Sequence, residues 1–241
     1  MTGIDGMRAA VSGLLAFTAT EEEVLLAAVR TVTEQGSATH WAAAPLIAHN
    51  TEFKRQQLAR LEAVHRGQTL PTFPETDHES ADVYRRFCDQ PADQVARASQ
   101  DATAALLDRF AATADEDLLD PSRNPWLGGR HLWLQVIVRG FWHPLGHLGD
   151  YYLGHDQSDM ACALQAQAVA TADHLAAPDA VLGMARYNLA CVLTRAHHID
   201  DAFGQLSTAV ELNPDLLVNV RRDADLAALR DTGRLESMLG C

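Results

Sequence analysis

Two histidines, His143 and His147, are spaced four residues apart in a segment with helical periodicity. Residues i and i+4 lie on one face of an α-helix, so both imidazole rings can reach one ion. A third histidine, His49, lies in an earlier amphipathic stretch, residues 45–66, that could pack antiparallel beside this segment. Three neutral imidazoles from two helices would form a metal site with open positions for water or substrate. Among eleven histidines about one such pair is expected by chance, so the helical context is needed.

The chemistry of such a site depends on the charge that its ligands leave on the metal. Neutral histidines leave the cation its full charge, which lowers the pKa of a nearby water molecule or thiol. Imidazole ligands favour zinc and also allow nickel or iron. Glu52 follows His49 by one turn and could be a fourth ligand or a general base, or else a solvated or salt-bridged residue beside Arg55. Asp150 and Tyr151 could hydrogen-bond a ligating imidazole, although a structural role is the simpler interpretation.

Helical periodicity runs through nearly the whole chain, and no alternating run of β-branched residues indicates a strand. Long helices are predicted at residues 7–33, 41–66, 91–114 and 130–155, with a short helix near residues 80–88 and a proline-containing connection at residues 67–78. These elements predict an all-α fold with an up-down four-helix bundle over residues 1–155. The first helix could break at Thr20, which has the capping-box spacing to Glu23, and the glutamate run 21–23 is expected at a helix start or facing solvent.

The composition limits the possible functions. The net charge is −13 and no basic cluster is longer than a pair, which predicts that the chain binds no nucleic acid. The sequence lacks an apolar run long enough for a membrane span and a recognisable signal peptide, and its four cysteines have no CxxC spacing. A cytoplasmic protein with reduced thiols and no membrane contact is therefore expected. Lys54 is the only lysine, which suggests GC-rich coding rather than a functional choice.

Residues 156–241 are richer in alanine and have shorter helical segments. Residues 183–216 resemble one tetratricopeptide repeat, with small, large and terminating residues at the usual positions: Leu189, Ala190, Ala202, Leu206, Ala209 and Pro214. The early aromatic residue is displaced to Tyr187, and His197 replaces the glycine in the middle of the repeat. Only about one and a half repeats fit, fewer than an independent solenoid needs. We therefore expect this domain to pack on the bundle or on another chain.

Residues 1–155 resemble the DinB-like (YfiT) four-helix bundle superfamily. The resemblance rests on the segment WAAAPLIAHN, residues 41–50, and on the HxxxH pair of the fourth predicted helix. It implies that His49, His143 and His147 bind a divalent metal. It also implies a possible thiol-dependent transferase or isomerase activity that uses mycothiol or bacillithiol, as in some members of the superfamily, and a homodimer.

The sequence departs from the superfamily pattern at Pro144, which lies inside the HxxxH pair. Within a helix, proline removes the hydrogen bond to the carbonyl group four residues earlier, here that of Gly140, and bends the helix. The bend would change the direction of His143, either completing the metal site or disrupting it.

Two functions remain open at this stage. The first is a metal-dependent thiol transferase or hydrolase that acts on a small electrophile, in detoxification or specialised metabolism. The alternative is a non-catalytic module that sequesters a ligand in the bundle cavity or binds a protein partner through the repeat-like helices. Converging histidines favour the first function, and a wide aromatic pocket without them favours the second.

Overall fold

The structure is a computed structural model and describes residues 3–30, 34, 36–73 and 81–239. Every regular element within these ranges is helical, which confirms the all-α prediction. None of the helices in the described ranges is long and apolar enough to cross a membrane. The predicted end of the first helix at Thr33, the end of the connection at residues 74–78, and Cys241 lie outside the described residues.

The chain divides into two compact units. One consists of Val11–Tyr151, and the other combines Tyr152–Cys241 with Met1–Ala10. The helices that lie mainly in the first unit are α1 (Ile4–Val29), α2 (Ala43–His65), α3 (Ala81–Phe87), α4 (Ala92–Ala111), α5 (Asp115–Leu119), α6 (Leu132–Ile137) and α7 (His143–Gly154). The up-down order of these helices as a bundle, and the predicted domain boundary at residues 155 and 156, stay predictions.

Helix α1 is continuous through the predicted break. The Thr20 hydroxyl donates a hydrogen bond to the Ala16 carbonyl within the helix, at 3.1 Å, so Thr20 does not cap a second helix. The buried apolar residues of α1 continue on both sides of this position: Val11, Leu14, Leu15, Leu25 and Leu26. Because a break would interrupt that buried stripe, packing outweighs the local capping signal.

Helix α2 packs against α3, α4 and the segment that precedes α7. Its buried residues include Ile47, Phe53 and Leu61, and those of α4 include Leu106 and Phe110. Full burial of each such side chain stabilises the fold by about 1.5–3 kcal/mol. Since α2 also carries His49, this packing holds one of the predicted metal ligands in a rigid element.

The second unit contains α8 (Ser158–His174), α9 (Asp179–Arg195), α10 (Ile199–Leu212), α11 (Leu217–Val220), α12 (Ala227–Arg230) and α13 (Glu236–Leu239). Helix α9 packs against both α8 and α10. A Cβ atom at Gly183 would lie 3.0 Å from Cβ of Asn213, so glycine permits this close approach. The residues predicted to fill the repeat interface are buried: Leu189, Ala190, Ala202, Leu206 and Ala209.

Helix α9 ends in a Schellman motif at the position where a repeat would have glycine. His197 adopts a φ of +64°, and the N–H of His198 donates to the Leu193 carbonyl at 2.8 Å. A left-handed conformation is strained for a residue with a side chain, which is why glycine is favoured there. The backbone therefore has the turn that the repeat pattern implies, while membership of the tetratricopeptide repeat class stays a prediction.

Candidate metal centre

The start of α2 is held by a carboxylate from the preceding segment. Oε2 of Glu34 accepts a hydrogen bond from the N–H of Ala43 at 2.9 Å. The first turn of a helix has unsatisfied N–H groups, so a carboxylate there is stabilising. Oε1 of Glu34 accepts a hydrogen bond from the hydroxyl of Tyr151, one helical turn after His147. Glu34 thus connects the helix that carries His49 to the helix that carries His147.

A π-helical turn, Val138–Trp142, precedes the histidine pair. The N–H of His143 donates to the carbonyl of Val138, five residues back, where an α-helix would use the residue four back. This wider turn places Pro144 in the first turn of α7, where a missing N–H is tolerated. The distortion expected from Pro144 thus takes the form of a π turn, and His143 and His147 both lie on α7.

The π turn packs closely against α1. A Cβ atom at Gly140 would lie 2.8 Å from Cγ of Leu15, which is shorter than real contacts of this kind. Leu15 is itself fully buried and has little room to move. Glycine at position 140 is therefore required for the position of the π turn, and hence for the start of α7.

The three predicted ligands meet. The ring centroid of His49 lies 5.4 Å from that of His143 and 5.1 Å from that of His147, and the latter two are 4.3 Å apart. One ring nitrogen from each residue belongs to a group whose atoms all lie within 4.8 Å of one another. The Nε2 atoms of His143 and His147 are 3.1 Å apart. His49 and His147 are buried, with exposures of 1% and 5%, and His143 is half-buried.

This arrangement fits a metal site with three histidine ligands. Two nitrogens that each bind zinc at about 2.0–2.1 Å are separated by about 3.3 Å in a tetrahedral site. The separation between His143 and His147 is already close to this value. The nitrogen of His49 needs a shift of about 1–2 Å at most to meet the same requirement. The donor set is neutral and leaves a coordination position open, as in catalytic zinc sites.

Aromatic rings surround the histidine cluster. The ring of His49 makes edge-on contacts with Trp41, Phe53 and Phe87, at centroid distances of 5.5, 4.8 and 5.9 Å. The ring of Phe53 also lies 4.1 Å from that of His143. Apolar walls restrict solvent access and lower the local dielectric constant, which strengthens the effect of any charge within them.

The other residues predicted for the site lie outside the cluster. Glu52 does not belong to the group of ligand atoms, and its Oε1 accepts a long hydrogen bond from Gln56, at 3.5 Å. Asp150 is exposed. The hydroxyl of Tyr151 donates to Glu34, so its proton is not available to an imidazole. The role of Glu52 as a ligand or general base thus stays a prediction, and Tyr151 connects helices through Glu34.

A buried ion pair that the sequence pattern did not predict joins α1 and α2. Nζ of Lys54 lies 2.5 Å from Oε2 of Glu22, and both side chains are 1% exposed. Ser99 donates to the same oxygen at 2.6 Å, and Asn50 donates to the other carboxylate oxygen at 3.2 Å. Lys54 also donates to Thr103 at 3.2 Å. The pair therefore joins α1, α2 and α4 through charge-assisted hydrogen bonds.

This ion pair corrects one expectation. Glu22 was expected at a helix start or facing solvent with the rest of its glutamate run, yet it lies within α1 and its side chain is buried, as is that of Lys54. The useful signal was the spacing of Asn50, Lys54 and Gln57, which places polar side chains on one helical face. That this face is buried is a tertiary fact that the spacing does not reveal.

A second group of possible ligand atoms lies in the other unit and consists of Cys191, Asp223 and Asp225. Burial, followed by the charge of Asp223, raises the pKa of the Cys191 thiol well above its ordinary value. Asp223 also accepts a hydrogen bond from Tyr187 at 2.7 Å. Because the Asp223 carboxylate already accepts this hydrogen bond and Asp225 lies 3.7 Å from Arg195, the histidine cluster is the better candidate.

The chain matches no protein-family model, and no curated protein or solved structure matches it either. The resemblance to DinB-like bundles therefore stays a prediction from the sequence.

Proposed function

We propose that the chain is a metal-dependent enzyme that adds a thiol or water to a small electrophile, with His49, His143 and His147 as the metal ligands. The observation that supports this proposal is the convergence of three imidazoles from two helices, with ring nitrogens within 4.8 Å of one another. Zinc is the first candidate metal, and nickel or iron also suits imidazole ligands. A low-molecular-weight thiol of the mycothiol type is the proposed nucleophile, used in the cytoplasm, where thiols stay reduced.

A cation bound here would supply positive charge that lowers the pKa of a thiol or water molecule and polarises the electrophile. The protein's own residues supply orientation and a restricted environment. Glu34 accepts one hydrogen bond from Ala43 at the N-terminus of α2 and another from Tyr151 on α7. It therefore keeps the two helices that carry the imidazoles next to each other. The aromatic rings around His49 limit access of bulk water. Both contributions favour attack by a positioned nucleophile over uncontrolled hydrolysis.

The test is the metal content of the purified, untagged protein, measured by elemental analysis together with thermal stability. The proposal predicts about one metal ion per chain, loss of that ion in His147→Ala, and retention in His65→Ala, which removes an exposed histidine at the end of α2. Thiol addition to a chromogenic electrophile should depend on the same ion. Absence of stoichiometric metal, with no gain in stability on adding zinc or nickel, would instead favour the ligand-sequestering module.

The proposed homodimer and the proposed protein partner of the repeat-like helices are separate questions. Light scattering of the purified protein decides the first, because a monomeric mass is incompatible with a stable dimer.

A further inference from the structure

Two arginines of the first unit have no acidic partner among the residues that the structure describes. Arg60 lies on α2 and Arg139 in the π turn. Neither guanidinium group forms a hydrogen bond or an ion pair with any residue in the part of the chain that the structure describes, and Nη1 of Arg60 and Nε of Arg139 are buried. Arginine is the residue that proteins use for bidentate recognition of carboxylate and phosphate groups. Both guanidinium groups therefore have N–H donors that no described residue accepts.

Both guanidinium groups lie over aromatic rings. Cζ of Arg60 lies 5.1 Å from the ring centroid of Phe73 and 5.7 Å from that of Trp126. Cζ of Arg139 lies 4.5 Å from the ring centroid of Phe53. These cation–π contacts restrain both side chains, and the N–H donors of a guanidinium group suit an oxyanion.

The electrostatic environment of this pair is unfavourable without a counter-ion. Burial lowers the pKa of both arginines, and the charge of Arg60 further lowers the pKa of Arg139. The chain has 32 acidic residues and a net charge of −13, yet none of the described acids neutralises these two cations. Partly desolvated charges without a partner destabilise a fold, so a bound anion would offset a cost that is already present.

We propose that Arg60 and Arg139 bind the carboxylate or phosphate group of a small anionic ligand beside the histidine cluster. Arg139 precedes His143 by four residues, and both contact the ring of Phe53, so a ligand held by Arg139 could extend to the histidines. Two positive charges favour a dianion over a monoanion of similar size. The anion site does not depend on the proposed function. Only the identification of the anion as the substrate or the thiol rests on it.

The probes are inorganic phosphate and succinate, with neutral succinamide as the control ligand. Binding is measured by tryptophan fluorescence, since Trp126 contacts Arg60, and by thermal shift in buffer free of other oxyanions. Arg60→Met and Arg139→Met should each raise the Kd of the better-bound anion at least tenfold, because a charge-assisted pair is lost. Arg97→Met, which removes an exposed arginine on α4, should leave the Kd unchanged.

Arg60→Lys and Arg139→Lys serve as controls for a folding defect, because lysine keeps the positive charge but loses the bidentate geometry. Both should weaken anion binding less than the methionine variants do. The inference is wrong if neither anion binds more tightly than succinamide, or if Arg97→Met weakens binding as much as Arg139→Met. Metal content is measured on the same samples. Anion binding in a protein without metal would overturn the proposed function alone, whereas metal without anion binding would overturn this inference alone.

Discussion

Replacement of Lys54 by methionine tests how the core of the first unit is held together. The change removes the ammonium group 2.5 Å from Oε2 of Glu22 and leaves a carboxylate that is 1% exposed. Breaking a buried ion pair on one side costs about 3–5 kcal/mol. Glu22 keeps its hydrogen bonds from Ser99 and Asn50, so we expect the lower part of this range, about 3 kcal/mol.

The double variant Glu22→Gln/Lys54→Met separates the charge from the packing. Glutamine keeps the size of Glu22 and an acceptor for the hydrogen bond from Ser99. With both charges removed, no uncompensated ion remains in the core, so the free energy of unfolding should return to within about 1–2 kcal/mol of the wild type. If Glu22→Gln alone also costs about 3 kcal/mol, because it leaves the Lys54 ammonium buried without its counter-ion, the coupling energy of the cycle should be about 4–5 kcal/mol in magnitude.

The assay is urea unfolding followed by tryptophan fluorescence, which reports on this unit alone because all four tryptophans lie within residues 41–142. The control is Arg66→Met, which removes an exposed ion pair with Glu62 and should cost less than about 1 kcal/mol. A loss below 1 kcal/mol for Lys54→Met, or a double variant no more stable than Lys54→Met, would refute the reasoning.

Two further predictions concern other parts of the chain. Burial raises the pKa of Cys191 and of Tyr187, so at alkaline pH the native state keeps protons that the unfolded state releases. The free energy of unfolding should therefore be full below about pH 8.5 and fall above it. The decrease should be up to ~1.4 kcal/mol per pH unit for each group. Cys191→Ala should flatten this alkaline slope in denaturation at pH 7–10, and an unchanged slope would contradict the assignment. Gly140→Ala places a Cβ 2.8 Å from Cγ of Leu15 and should lower the free energy of unfolding by about 1–3 kcal/mol. The new Cβ of Gly146→Ala meets nothing within 4 Å, so this control should raise the free energy of unfolding by up to about 1 kcal/mol. Equal unfolding midpoints for the two variants would show that the contact with Leu15 relaxes freely.

Local periodicity was sufficient to predict the all-α fold and most helices. The segment predicted at residues 41–66 is Ala43–His65, and that at residues 91–114 is Ala92–Ala111. The meeting of His49 with His143 and His147 also follows from simple geometry, since i, i+4 spacing fixes two of the rings and one neighbouring helix supplies the third.

Features that depend on packing between helices were not predictable. The spacing of Thr20 and Glu23 is a valid capping signal, but the buried stripe of α1 continues through it and no break forms. Pro144 signalled a distortion, yet its form, a π turn packed against Leu15, depends on the contact between Gly140 and α1. The orientations of Arg60 and Arg139 likewise depend on which aromatic rings the fold brings beside them.

The most direct test of the account is X-ray absorption spectroscopy of the protein loaded with one equivalent of zinc. We expect three imidazole nitrogens at about 2.0–2.1 Å from the metal, falling to two in His49→Ala with the fold retained. A spectrum with fewer than three imidazoles in the wild type, or one that His49→Ala leaves unchanged, would contradict a shared site built from α2 and α7.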